Sequence, residues 1–101
     1  MDSHRVTELV SGLASRINNL AVASQGADSR TLLAQQDELA NQTLALIARD
    51  LNADAEDFQR AIVALQAATD AADHAGQQLQ RVGDTIKLTA KAISAVAKLL
   101  A

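Results

Sequence analysis

Apolar or small residues recur in a three-four alternation from Phe58 to Leu100, running Phe58, Ile62, Leu65, Thr69, Ala72, Gly76, Leu79, Gly83, Ile86, Ala90, Ile93, Ala97 and Leu100. That spacing keeps one side of an α-helix apolar along its whole length. One heptad position is mostly bulky. The other becomes small after Ile62, with Thr69, Gly76, Gly83, Ala90 and Ala97. Small side chains let a neighbouring helix come close, so the pattern predicts a face that packs against another helix.

Upstream, Val6, Val10, Leu13, Ile17 and Leu20 repeat with the same spacing and Leu9 widens the stripe, predicting a helix of about residues 3–24. Asp2 or Ser3 can cap its start, Glu8 suits the positive end of its dipole, and Gly12 interrupts its polar side. Gln25-Gly26 should end it, with Gly26 free to take the left-handed conformation. Asp28 or Ser29 then caps a second helix over about 29–51, whose apolar positions Leu32, Leu33, Leu39, Leu44, Leu46, Ile47 and Leu51 form a less regular stripe. So short a connection makes these two helices antiparallel neighbours. Asn52 can end the second helix, and Asp54 with Asp57 reads as an acidic capping box for the third.

A third helix over 54–101 would be about 70 Å long at 1.5 Å per residue, whereas a compact chain of this size has a radius of gyration of about 13 Å. The fold class expected is therefore all-α: an antiparallel hairpin followed by a long, coiled-coil-like C-terminal helix, three helices in one domain over residues 1–101. The alternative is a four-helix bundle with a break near Gly76 or Gly83, where Asp84 would cap the last helix. Heptad phase survives both glycines, which favours the continuous helix.

Composition strengthens the helical reading. The chain of 101 residues holds twenty-two alanines, no proline and one aromatic, Phe58. Alanine buries little area, so this core gains less than one of leucine and phenylalanine, and a partner or self-association would add burial. With no cysteine there is neither a disulfide framework nor thiol chemistry. The first five residues, Met-Asp-Ser-His-Arg, mix charged and polar side chains, so no cleavable signal peptide is expected, and no apolar run is long enough to span a bilayer. The compartment expected is cytoplasmic, the alternative being export without a classical signal.

Charge is uneven. Residues 1–84 carry twelve acids against six arginines, a balance of −6, while 85–101 carry Lys87, Lys91 and Lys98 with no acid. A short basic tail on an acidic body gives no extended cationic footprint and no aromatic platform, so nucleic acid is not an expected partner. Lys87, Lys91, Ser94 and Lys98 share one face of the last segment. That makes 86–101 a cationic amphipathic helix, with contact to an anionic membrane as one reading. Packing against a core or partner is the other, since lysines also suit a helix C-terminus.

Candidate chemistry is sparse. Asp70, Asp73 and His74 fall near one helical face, yet no second carboxylate-histidine motif completes a bundle metal site. Serines and threonines lack a base with an orienting acid, and Gly76 and Gly83 form no phosphate loop. Asn41-Gln42-Thr43 matches a glycosylation sequon without an export signal. No enzyme activity, cofactor or metal is expected. The expected function is a non-enzymatic helical interaction module (adaptor, chaperone or inhibitor of the immunity type) that binds another protein or its own copy. The contact residues would be Gly76, Leu79, Gly83, Ile86, Ala90, Ile93, Ala97 and Leu100, flanked by Arg81, Asp84 and Lys87. The alternatives are a homo-oligomeric structural or secretion-system component and an amphipathic membrane-active protein. Small, helical, alanine- and glutamine-rich chains of this type occur among secretion-system components, their chaperones and toxin-binding immunity proteins. The similarity is one of type, carried by no motif, and the absence of tryptophan excludes the tryptophan-x-glycine hairpin family.

Overall fold

A computed structural model describes residues 4–49, 51, 55–78 and 81–101. Among the described residues it has four helices: α1 (Arg5–Ala23), α2 (Gly26–Ile47), α3 (Glu56–Gln77) and α4 (Val82–Leu100). They pack as an all-α bundle.

The turn between α1 and α2 follows the glycine chemistry. Ser24 and Gln25 are extended, and Gly26 takes φ +65°, a conformation that costs a side-chain-bearing residue steric strain. Ser29 does not cap α2. Its hydroxyl donates instead to the Ala21 carbonyl at 2.8 Å, tying the first turn of α2 to the last turn of α1, while Asp28 lies in the first turn of α2. The expected caps Asp2, Ser3, Asn52 and Asp54 lie outside the described residues.

α3 ends at Gln77, and Gln78 is extended with φ −137° and ψ 98°. The expected uninterrupted helix over 54–101 is therefore replaced by two, α3 and α4, with the interruption between Gly76 and Gly83. The reason is burial. The long axis of the protein is 38 Å and the radius of gyration 13.0 Å, so a single rod would leave its second half without a core to cover it.

Each helix packs against two others: α1 on α2 and α3, α4 on α3 and α2. Residues near the C-terminal ends of α1 and α3 meet, with Leu20 and Ala23 beside Ala72 and Gly76. Those two helices thus run parallel. Gln35 on α2 reaches Ile86 on α4 and Gln42 reaches Ile93, so α2 and α4 are parallel too, seven residues advancing together on each. The fold is two antiparallel hairpins laid side by side.

The middle of the bundle is filled by Val6, Val10, Leu13 and Ile17 of α1, Leu32 and Leu39 of α2, and Phe58 and Leu65 of α3, all fully buried. α4 contributes a smaller set, Val82, Thr85, Thr89, Ala92 and Val96. That line stands one residue ahead of the expected seam at every position, and on α3 the same lead is already present at every second position, where Ala61, Ala68 and Ala75 are buried in place of Ile62, Thr69 and Gly76. Small residues occupy both lines, so heptad phase alone does not choose between them.

Candidate helix-packing site on α4

The eight residues expected to form one contact seam are divided between two helices. Gly76 lies exposed on α3, beside a hollow that Arg16 and Asp73 also line. Leu79 lies outside the described residues. On α4, Gly83, Ala90 and Ala97 are exposed, while Ile86, Ile93 and Leu100 are half-buried against the core.

Glutamines organise this side of α4. The buried line of α2 runs Leu32, Gln35, Leu39, Leu46, and Gln42 completes its three-four alternation. Gln35 Nε2 donates to the Ile86 carbonyl at 2.9 Å and Gln42 Nε2 to the Ile93 carbonyl at 2.9 Å. Ala90 and Ala97, one turn beyond each acceptor, have no side chain long enough to shield it. The smallness of these two positions thus has an internal use. Gly83 and Gly76 have none of that kind: a Cβ at either would meet nothing within 4 Å. The two glutamines escaped the sequence reading because only apolar residues were counted. The signal was present, in that 32, 35, 39, 42 and 46 keep helical spacing throughout.

This contact is polar and incompletely satisfied. Gln35 Oε1, Gln42 Oε1 and the hydroxyl of fully buried Thr89 have no hydrogen-bond partner. Each such atom has lost water without replacement, so the α2–α4 contact is the weaker side of the bundle.

The other side of α4 faces outward beside α3. Lys87, Lys91 and Lys98 are exposed there, and among the described residues no carboxylate lies within 4.0 Å of any of them. The ion pairs formed lie elsewhere: Arg16 Nε to Asp73 Oδ1 at 2.8 Å joins α1 to α3, and Arg60 pairs with Glu56 one turn away on α3. Arg16 also donates to the Gly12 carbonyl at 3.1 Å.

Asp70, Asp73 and His74 diverge. Asp73 turns to Arg16, and the Nδ1 atom of His74 sits 2.8 Å from the Asp70 backbone carbonyl, placed to donate in the tautomer that protonates it. Among the described residues no three His, Asp or Glu side chains gather as metal ligands, and no helix is long and apolar enough to cross a membrane.

No protein-family model, curated protein or solved structure matches this chain.

Proposed function

We propose that this protein is a non-enzymatic interaction module of the adaptor, chaperone or immunity type, which closes as a four-helix monomer and binds another protein through α4. The observation that supports the reading is the two-sided build of α4. Its inner line is buried in the bundle, while its outer half places Gly83, Ala90 and Ala97 beside exposed lysines that form no ion pair among the described residues. A helix whose outer residues are short admits a second helix at close range, and the half-buried Ile86, Ile93 and Leu100 would border that contact. Tryptophan and tyrosine, the usual anchors of binding hot spots, are absent, so recognition rests on shape and flanking charge.

The test is to fill the outer face without disturbing the fold. Gly83→Leu should leave the helical circular-dichroism signal intact, since position 83 faces empty space. The same variant, expressed in its source cells with a tag, should lose the proteins that co-purify stoichiometrically with the unaltered chain. Retention of the same set by the variant would overturn the assignment to α4.

A further inference from the structure

The outer surfaces of α3 and α4 enclose a continuous groove with an unusual charge arrangement. Three adjoining hollows follow one another along it, and Lys91 lines all three. The central hollow has a volume of about 440 Å³ and is floored by Ala64, Ala67 and Leu88, with Val63, 66% exposed, on its rim. Ala95 continues the floor at one end and Ala71 at the other.

Cations stand above this floor. Lys87, Lys91 and Lys98 are spaced i, i+4 and i+11, spanning about 16 Å of α4. The acids of the groove sit at its ends. Asp57 is at one, where Glu56 is already paired to Arg60, and Asp84 is at the other beside Arg81 and His74. The middle is thus apolar below, with Lys91 on one wall and, on the other, Glu56 already paired to Arg60, while Lys87 and Lys98 stand in the end hollows.

We propose that this groove docks an acidic amphipathic helix of a partner protein, its small aliphatic face on the alanine floor and its carboxylates opposite Lys87, Lys91 and Lys98. The proposal rests on the reading of the chain as a helix-binding module and specifies the partner's chemistry. Alanine floors let helix axes approach, and a line of unpaired cations selects an occupant with acids at matching spacing. An anionic bilayer is the poorer fit. Insertion needs large apolar side chains turned outward, and the exposed ones among the described residues, Val22, Leu33, Leu44, Ile47 and Val63, all lie off α4. A second copy would present α2, whose exposed Leu33, Leu44 and Ile47 share their helix with Asp28, Asp37 and Glu38 against Arg30, so a stable dimer in solution would overturn the proposal in favour of self-pairing.

The test uses the full chain and a synthetic helical peptide bearing glutamates at i, i+4 and i+11 in an alanine-leucine background, with a glutamine counterpart as control. Calorimetric titration should show the acidic peptide binding at least about tenfold more tightly than the control, and more weakly as salt is raised. Lys91→Glu, on an exposed residue that the fold does not need, should weaken binding about tenfold, while Gly83→Leu, outside the groove, should not. Equal binding of the two peptides, no binding of either, or an unchanged affinity in Lys91→Glu overturns the proposal. Co-sedimentation with phosphatidylserine vesicles in place of peptide binding overturns it in favour of a lipid surface. If Gly83→Leu abolishes co-purification of cellular partners and Lys91→Glu does not, the module stands and the groove is refuted. If neither variant changes co-purification, the reading of α4 itself falls.

Discussion

Gln35 on α2 donates its side-chain amide to the backbone carbonyl of Ile86 on α4 at 2.9 Å, while its own amide oxygen is buried without a donor. The residue is 7% exposed, so this half-satisfied contact lies inside the fold. The Ile86 carbonyl keeps its helical partner if the glutamine is removed, whereas the stranded oxygen is a standing cost of about 1–3 kcal/mol. Gln35→Leu, which fills the same space, should therefore leave stability within about 0.5 kcal/mol of the original or raise it. Gln35→Ala, which leaves a hole, should lower it by about 1–2 kcal/mol. Urea unfolding followed by circular dichroism separates the two, and equal losses in both variants would contradict the account.

Thr89 presents the same problem in simpler form. Its side chain is fully buried and its hydroxyl has no partner. Valine has nearly the same shape, so Thr89→Val should stabilise the protein by about 1 kcal/mol, raising the thermal midpoint by about 4–8 °C. Thr85 donates to the Arg81 carbonyl at 3.3 Å, and Thr85→Val should gain less. A destabilised Thr89→Val protein would mean that the hydroxyl is satisfied in solution.

Phe58 is the only aromatic residue and is fully buried at the start of α3. Truncation to alanine should cost about 3–5 kcal/mol. Chains of this size have about 5–15 kcal/mol in total, so Phe58→Ala should be close to unfolding at ordinary temperature. Val63→Ala on the exposed side of the same helix should stay within about 0.5 kcal/mol of the original.

The glycines should behave oppositely according to their backbone. Gly26→Ala forces a side chain into φ +65° and should destabilise by about 1 kcal/mol. Gly76→Ala and Gly83→Ala place a Cβ in empty space on a helix and should each stabilise by about 0.5–1 kcal/mol. Thermal melts of the three variants decide the matter, and a stabilised Gly26→Ala would contradict the turn geometry.

The sequence was most legible where bulky residues keep one phase. Val6, Val10, Leu13, Ile17 and Leu20 identified α1 and its buried line, and Gly26 announced the left-handed turn. It was least legible where alanine and threonine fill both candidate lines, as on α4. There Ile86 and Ile93 drew the reading to a seam that the fold half-buries, while Thr85, Thr89 and Ala92 lie inside. In α2 the apolar count misplaced Leu33, Leu44 and Ile47, which are 45%, 69% and 66% exposed, and passed over Gln35. Polar residues at core spacing are invisible to a hydrophobic pattern. The acid-free run of lysines in 85–101 was plain from the sequence, but the groove beside it depends on α3 returning alongside α4.

The account holds that one chain closes its own core and leaves the outer side of α4 uncovered for another protein. Small-angle X-ray scattering on purified protein over a range of concentrations tests this most directly, because it reads mass and length together. The account predicts a 10.6 kDa monomer at all concentrations, with a longest dimension close to the 38 Å axis of the bundle. A particle about 70 Å long would restore the unbroken C-terminal helix, and a stable dimer mass would mean that α4 is covered by its own copy. Either result would contradict the account.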